Sequence, residues 1–296
     1  MMNNIVKPLR KNRLTYAIVI ILLPIMLCSL MPIWLLVISS FADKQALANH
    51  GFQIWPSAFS LDAYLTLFIK PDFLFRSYGI TAGITAIGMS IGVLIMSMFA
   101  YAVSRSHLKG RGALSFFIFF TLLFQGGTLP YYLMITKFLR LQNNLLVLIL
   151  PLLVAPFQVL LLRTYFLSLP TSLIESAKLD GAKELRIFFT IVFPLSLPAI
   201  MTVALFQLVT YWNDMYQALL FIDKQDLYPL QYLLYKISYN TSIIPTDGSQ
   251  YTGTPRSPLA LRMAMATLAL IPIILAFAFI QRYFVKGITL GAIKGE

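Results

Sequence analysis

The sequence predicts an all-α polytopic membrane protein that crosses the bilayer through six transmembrane helices. Three observations predict this fold class: 58% of the 296 residues are hydrophobic, only 11% are charged, and six stretches stay free of charge over the length of a membrane span. A helix needs roughly 20 mainly apolar residues to cross the hydrocarbon core. A soluble domain carries about twice this charged fraction, so much of the apolar surface must face lipid.

The six apolar runs are taken in order as the spans of the chain. The first run is too long for the apolar region of a secretory signal, and no small-residue cleavage site follows it, so we expect it to be retained as a helix. The fifth run continues past Asp214 in an apolar stretch that ends at Ile222. The runs cover residues 14–42, 77–104, 112–136, 141–162, 187–213 and 263–281.

The net charge of +12 is explained by topology. With the N-terminus inside, most Lys and Arg residues fall in the inner loops and the outer loops are nearly neutral, which is the positive-inside pattern. This distribution disfavours nucleic acid as a partner. We therefore expect a multi-pass protein in the lipid bilayer of the cell membrane, with residues 1–13 as a cytoplasmic N-terminus, 14–284 as the six-helix transmembrane domain and 285–296 as a cytoplasmic C-terminal tail.

Few residues could carry catalysis or hold a metal. Cys28 is the single cysteine, so a disulfide within the chain is excluded. His50 and His107 are the only histidines and neither has metal-ligand spacing, so we expect no metal site and no catalytic residue. The sequence has no G-x-x-x-x-G-K-[ST] loop to cradle a nucleotide. We therefore expect no cofactor on this chain and no enzyme activity of its own.

Two segments interrupt the apolar pattern at membrane depth. Residues 125–130 of the third run include two glycines and a proline, which unwind or kink a helix. The fifth run ends in a cluster of aromatic and polar residues. Such segments are tolerated where they face protein or a water-filled cavity, so one reading is that they line a path for a solute, and the alternative is an interfacial aromatic belt. The candidate path residues are Gln125, Tyr131, Tyr132, Tyr211, Trp212, Asn213 and Asp214.

A charged loop, residues 169–194, separates the fourth and fifth runs. Pro170 precedes Ser172, and Glu175 follows three residues after that serine, which fits a capping box at the start of a short helix. Gly181 supplies a position free to turn. The pattern predicts a short helix, a bend and a second helix that enters the membrane. Docking of another protein is one interpretation of this loop, and a plain amphipathic surface helix is the other.

This loop resembles the EAA loop of binding-protein-dependent ABC importers, whose pattern is E-A-A followed at fixed spacing by G and by I-x-L-P. Ser176 replaces the central alanine and Phe193 replaces the leucine, and both changes keep small size or apolar character. The resemblance implies a type I ABC importer transmembrane domain with a cytoplasmic EAA coupling loop at 169–194. The matching residues are Glu175, Ala177, Gly181, Ile191 and Pro194.

Two further segments resemble one branch of this superfamily. Residues 281–295 are similar to the ending of the second permease of maltose-type carbohydrate importers, and residues 127–151 are similar to permeases for larger oligosaccharides. This resemblance implies a bacterial permease that translocates an oligosaccharide delivered by an extracellular sugar-binding protein. It also implies a second homologous permease subunit and an ATPase dimer, which binds ATP and Mg²⁺ and hydrolyses the ATP.

The family resemblance also implies roles for residues. Glu175 would pair with a basic group of the ATPase, Ala177 would permit close approach, and Gly181 would form the bend. The residues expected to couple the chain to the ATPase are Glu175, Ser176, Ala177, Asp180, Gly181 and Pro194, with tail contacts at Tyr283, Lys286 and Gly287.

Two alternatives stay open from the sequence. The first is a permease of the same superfamily that carries a non-sugar solute, which the EAA loop alone permits. The second is a stand-alone secondary transporter, which would need carboxylates inside the membrane, and Asp214 is nearly the only candidate.

Overall fold

The computed structural model describes residues 13–68, 71–239 and 258–292, and these residues form helices joined by short connections. In this part of the chain three helices are each long and apolar enough to cross a membrane. Three bent helix pairs would each add a span if the pair is counted as one crossing, which gives up to six. In chain order the helices are α1 (Arg13–Ser40), α2 (Lys44–His50), α3 (Asp62–Leu67), α4 (Pro71–Ser104), α5 (Arg111–Leu123), α6 (Thr128–Leu133), α7 (Leu146–Ile149), α8 (Pro156–Leu167), α9 (Thr171–Leu179), α10 (Glu184–Ile187), α11 (Phe193–Leu195), α12 (Leu197–Asn213), α13 (Tyr216–Phe221), α14 (Leu230–Tyr239) and α15 (Pro258–Ala292).

The break predicted in the third span is present. The helices Arg111–Leu123 and Thr128–Phe138 meet at an angle of 111° across the glycine-containing segment. The second helix of this pair ends in a π-helical turn, Met134–Phe138. The third predicted run is therefore two helices rather than one.

Breaks in the fourth and fifth spans were not predicted. Leu146–Leu152 and Pro156–Leu167 are bent by 46°, and Glu184–Leu195 and Leu197–Asn213 are bent by 83°. Proline stands at the first or second residue of the helix after each break, at Pro156 in α8 and Pro198 in α12. Proline has no N–H to donate and a preset φ, so it is accepted at a helix start and disrupts a helix interior. The same residues that start α8 and α12 thus prevent continuous spans.

The described residues fall into two compact units, and the first comprises 13–68 and 258–268. After α1 the chain turns through a single bridge between Ala42 and Phe59. Asp43 caps α2, because its carboxylate accepts a hydrogen bond from the Gln45 N–H at 2.9 Å. Ala42 and Leu47 form a small buried cluster with Ala260.

The second unit comprises residues 71–239 and 269–292, and α4 is its central helix. It packs mainly against α8 and α12. Gly88 and Gly92 lie at the contacts of α4, because an added side chain would overlap the Tyr211 ring at the first position and the Leu153 carbonyl at the second. Small residues allow this close approach between membrane helices.

A buried glutamine donates hydrogen bonds to the backbone carbonyls at the break in the fourth span. Gln207 of α12 is fully buried, and its Nε2 donates to the carbonyl oxygens of Leu152 and Leu153 at 3.1 and 3.2 Å. These carbonyls lie where the fourth span loses its helical hydrogen bonds. An unsatisfied backbone group in hydrocarbon costs several kcal/mol, so the amide of Gln207 compensates for the break.

Candidate functional site

The helix of the charged loop starts directly after Pro170, and no capping box is formed at its start. Helix α9 runs from Thr171 to Leu179, and its cap residue is Pro170, with no side chain accepting at the helix start. Ser172 is therefore the second residue of the helix, two positions too far along the chain to cap it. The capping-box prediction for Ser172 and Glu175 is wrong, because the preset φ of Pro170 starts the helix earlier.

The bend at Gly181 is present and has a defined hydrogen-bond pattern. Gly181 has a φ of 78°, and its N–H donates to the Lys178 carbonyl at 3.0 Å. The N–H of Ala182 donates to the Ala177 carbonyl at 2.9 Å. These two bonds form a Schellman motif, which requires a left-handed residue after the helix and so favours glycine. The prediction of a turn at Gly181 is confirmed.

Helix α9 is fixed on one face and open on the other. Ile174 is buried, and Ala177 packs partly against the same cluster of core residues. The sequence analysis missed Leu179, which is 89% exposed at the end of the helix. A leucine next to an acidic residue in a charged loop is a signal that could have identified it. The other predicted coupling residues that are exposed are Glu175, Ser176, Asp180, Gly181 and Pro194.

The carboxylate of Glu184 contacts three polar side chains at this helix. It accepts a hydrogen bond from the hydroxyl of Tyr101 at 2.6 Å, and it pairs with Lys178 at 2.7 Å and with His107 at 3.1 Å. Glu184 precedes the apolar run of the fifth span. Partial burial acts to raise the pKa of its carboxyl group, but the hydrogen bonds from Lys178 and Tyr101 outweigh burial and lower the pKa. The sequence did not reveal this cluster, because its members come from separate elements.

A cavity of about 210 Å³ lies beside the Glu184 cluster. Its lining combines apolar side chains with those of Tyr101, Arg105, His107 and Glu184. The apolar residues come from the last turns of α4, from the connection after it and from the start of the fifth span: Met98, Ala102, Leu108, Leu185 and Phe188. Apolar packing between α4 and the fifth span is therefore incomplete at this point.

The break in the third span exposes polar groups. Gln125 and Thr128 are exposed, and the Thr128 hydroxyl lies 3.2 Å from the hydroxyl of Tyr216. Tyr131 donates to the Oε1 of Gln217, and both side chains are at least partly buried. The structure thus brings the break in the third span next to the polar end of the fifth.

The seven candidate path residues separate into exposed and buried groups. Tyr211 and Trp212 are 1% and 7% exposed, and their polar atoms donate to backbone carbonyls, Tyr211 to Ile149 at 2.8 Å and Trp212 to Ala269 at 3.1 Å. Both therefore act as packing residues in this conformation.

The remaining candidates are more accessible. Asn213 is exposed and accepts from Gln231 at 3.3 Å, while Asp214 lies partly exposed before α13. Tyr132 is partly exposed and stacks on Phe221 with ring centroids 5.7 Å apart. With Gln125 and Tyr131, these residues form a polar surface at the break in the third span and at the end of α12.

The last helix extends well beyond the sixth predicted run. Helix α15 continues to Ala292, so Tyr283, Lys286 and Gly287 lie on it as backbone positions. Most of the predicted tail, 285–296, is thus helical, and residues 293–296 lie outside the described part of the chain. The N-terminal residues 1–12 lie outside it as well.

Comparison with known proteins relates most of the chain to transport systems. Residues 108–290 match the model of the family described as binding-protein-dependent transport system inner membrane component. The polygalacturonan/rhamnogalacturonan transport system permease protein YtcP of Bacillus subtilis (strain 168) is 39% identical over 287 residues, which cover 96% of this chain and 100% of that protein.

A second relative and a solved structure agree with this match. The arabinooligosaccharides transport system permease protein AraQ of Halalkalibacterium halodurans is 30% identical, over 89% of this chain and 91% of that protein. The crystal structure of a bacterial ABC transporter involved in the import of the acidic polysaccharide alginate contains a chain with a TM-score of 0.79 and 26% identity. The alignment covers 95% of this chain and 99% of that one.

Proposed function

The chain belongs to the family of binding-protein-dependent transport system inner membrane components, and from this membership we propose what it carries and how it is driven. It is the permease subunit of an ATP-binding cassette importer, a multi-pass membrane protein with the fold of type I importer permeases. The proposed cargo is an oligosaccharide that contains uronic acid units. The proposed driving force is hydrolysis of Mg-ATP on separate ATPase subunits.

The proposed partners follow from the family. Importers of this kind work with ATPase subunits, a solute-binding protein and a second permease. For this chain we propose an ATPase dimer on the cytoplasmic side, a homologous second permease beside it in the membrane and an extracellular sugar-binding protein. Both termini and the loop at 169–194 are proposed to be cytoplasmic, which the excess of basic residues in those segments supports.

The coupling role of α9 is supported by its exposure and its anchoring. Glu175, Ser176 and Asp180 are open to a partner, while Ile174 holds the helix to the core of this chain. A partner that moves α9 would therefore move the permease with it. Leu179 adds an apolar contact that a cleft on the ATPase could bury, which would stabilise docking by about 1.5–3 kcal/mol. The helical segment with Tyr283, Lys286 and Gly287 is proposed as a second ATPase contact.

The observation that carries the cargo proposal is the full-length similarity to the polygalacturonan/rhamnogalacturonan permease. The alginate transporter supports the same class, because its cargo is also an acidic polysaccharide. The amide groups of Gln125 and Asn213 suit the hydroxyl groups of sugars, and the rings of Tyr131 and Tyr132 suit their apolar faces. The carboxylate of Asp214 stands next to this surface. Tyr211 and Trp212 are proposed to support the path from behind, since their rings are buried.

Reconstituted transport tests this function. Proteoliposomes would contain this chain with its second permease and ATPase, and the binding protein would be added outside with a labelled oligogalacturonide or a neutral maltooligosaccharide of equal length. We expect uptake of the oligogalacturonide that stops when the ATPase carries a hydrolysis-inactivating substitution. Uptake of only the neutral sugar would contradict the cargo class, and uptake without ATP would contradict the coupling and favour a secondary transporter.

Labelling tests the orientation. Cys28 is the only cysteine, so Cys28→Ser gives a cysteine-free chain. In that background Leu179→Cys places a thiol at a highly exposed position of α9. A membrane-impermeant maleimide should label it in inside-out vesicles and leave it unlabelled in right-side-out vesicles. The reverse pattern would put the loop outside the cell and exclude docking to a cytoplasmic ATPase.

A further inference from the structure

Glu184 is the point where three segments of the chain are joined by polar contacts. Tyr101 belongs to the last turns of α4, His107 to the connection that follows α4, and Lys178 to α9. One carboxylate contacts all three, at 2.6 Å for Tyr101, 3.1 Å for His107 and 2.7 Å for Lys178. Helices α9 and α4 are therefore both in polar contact with Glu184.

The contact with Tyr101 is the shortest of the three. The tyrosine is 6% exposed, and a short hydrogen bond from a hydroxyl to a carboxylate is about twice as strong as a neutral one. The Tyr101 ring is held from its face by Arg105, whose guanidinium carbon lies 4.6 Å from the ring centroid. Arg105 in turn donates to the Phe166 carbonyl of α8 at 3.5 Å. Tyr101 is thus fixed in place on the α4 side of the contact.

The ion pairs on the α9 side are exposed, so they are weak as sources of stability. These contacts matter because a hydrogen bond has a preferred direction and so fixes the relative position of its two groups. Ile174 and Ala177 connect α9 to the core through apolar packing, which has no preferred direction and allows sliding. Beside Glu184 the ring of Tyr101 packs on Phe188 of the fifth span with ring centroids 5.3 Å apart, and the cavity leaves the rest of this contact incomplete. The hydrogen bonds of Glu184 add a contact of fixed geometry between α9 and α4 to the apolar packing of Ile174.

We infer that Glu184 is a positioning residue that passes a displacement of α9 to the end of α4, and this inference rests on the proposed docking of α9 to the ATPase. When the ATPase moves α9, Lys178 moves the carboxylate and the carboxylate moves Tyr101. Because α4 packs against α12, the displacement reaches the helix whose last residue, Asn213, belongs to the proposed path. Without Glu184, α9 and α4 stay joined only through the apolar cluster that contains Ile174 and Tyr101, so we expect a smaller displacement of α4.

The test uses the complete importer in proteoliposomes and measures three quantities: co-purification of the ATPase, ATP hydrolysis stimulated by the loaded binding protein, and sugar imported per ATP hydrolysed. Glu184→Ala and Tyr101→Phe remove the contact from its two sides. For both variants we expect normal co-purification, hydrolysis within about twofold of the unchanged importer and at least a fivefold fall in sugar imported per ATP. Glu184→Gln keeps an acceptor for Tyr101 and should recover part of that loss.

Matched controls separate this role from stability and from docking. Tyr165→Phe removes a hydroxyl that makes a longer bond, 3.4 Å to the Leu195 carbonyl, and should import normally. If Glu184→Ala and Tyr101→Phe only lower the amount of folded importer and leave sugar per ATP unchanged, the positioning role is overturned. Glu175→Ala should reduce ATPase co-purification. If it does not, the docking proposal itself fails, whatever the Glu184 variants do.

Discussion

Gly88 is a position where adding a single methyl group should disturb the packing of the second unit. A Cβ at this site would lie 2.3 Å from Cζ of Tyr211 and 2.6 and 2.7 Å from its Cε atoms. Carbon atoms at optimal separation are about 3.5–4.0 Å apart, so the ring or the helix must move by about 1 Å or more in Gly88→Ala. The ring cannot move freely, because its hydroxyl is bonded to the Ile149 carbonyl at 2.8 Å.

The expected cost comes from two effects and one offset. Overpacking a tight contact costs about 1–3 kcal/mol. Losing the Tyr211 hydrogen bond would add roughly 0.5–1.5 kcal/mol. The better helix propensity of alanine offsets about 0.5–1 kcal/mol. We therefore expect Gly88→Ala to lower the free energy of unfolding by about 2 kcal/mol, within a range of roughly 0.5–4 kcal/mol.

Unfolding by SDS titration in detergent micelles measures this change, followed by tryptophan fluorescence because Trp212 adjoins the site. Gly83→Ala is the matched control, since it lies on the same helix and an added Cβ meets nothing within 4 Å. That variant should be as stable as the unchanged protein or slightly more stable. In a Tyr211→Leu background, Gly88→Ala should lose much less. Equal stability of the two alanine variants would refute the close packing of α4 on Tyr211.

Three further predictions concern other residues. Gln207→Leu should lower the free energy of unfolding by about 1–3 kcal/mol, because it leaves two carbonyls without their side-chain donor; stability equal to that of the unchanged protein in the same SDS titration would show that the break needs no donor. Gly181→Val should reduce uptake at least tenfold while the protein stays in the membrane, because a branched residue resists the positive φ; the milder Gly181→Asn, which tolerates that conformation, should retain most uptake. Trp212→Phe should lower stability by about 1 kcal/mol through loss of the bond to Ala269 and leave the affinity for sugar unchanged; a changed half-saturation concentration for uptake would instead return Trp212 to the path surface.

The sequence predicted those features that depend on local composition. Charge-free runs located the spans, and the two glycines and proline at 125–130 located the break in the third. The breaks in the fourth and fifth spans also had a local signal in Pro156 and Pro198. A scan for charge alone passes over proline, which is apolar and uncharged, so those helices were expected to be continuous.

The features that were missed depend on contacts between distant parts of the chain. Tyr211 and Trp212 looked like path residues because aromatic and polar groups stood together at the end of a span. Their true partners are backbone carbonyls far away in the sequence, at Ile149 and Ala269. Backbone acceptors leave no trace in residue identity, so no sequence pattern could have placed these rings in the core. The Glu184 cluster escaped for a similar reason, since Tyr101 is 83 positions away from it.

The amide of Gln207 also restricts how this permease can alternate between open states. Its two donor bonds join the fourth span to the fifth at a position that is fully buried in the protein. Drawing these two spans apart would strand two acceptors together, at a cost of several kcal/mol that only entering water could relieve. We therefore expect the two spans to move together when the permease changes conformation, with opening and closing at surfaces that this glutamine does not bridge.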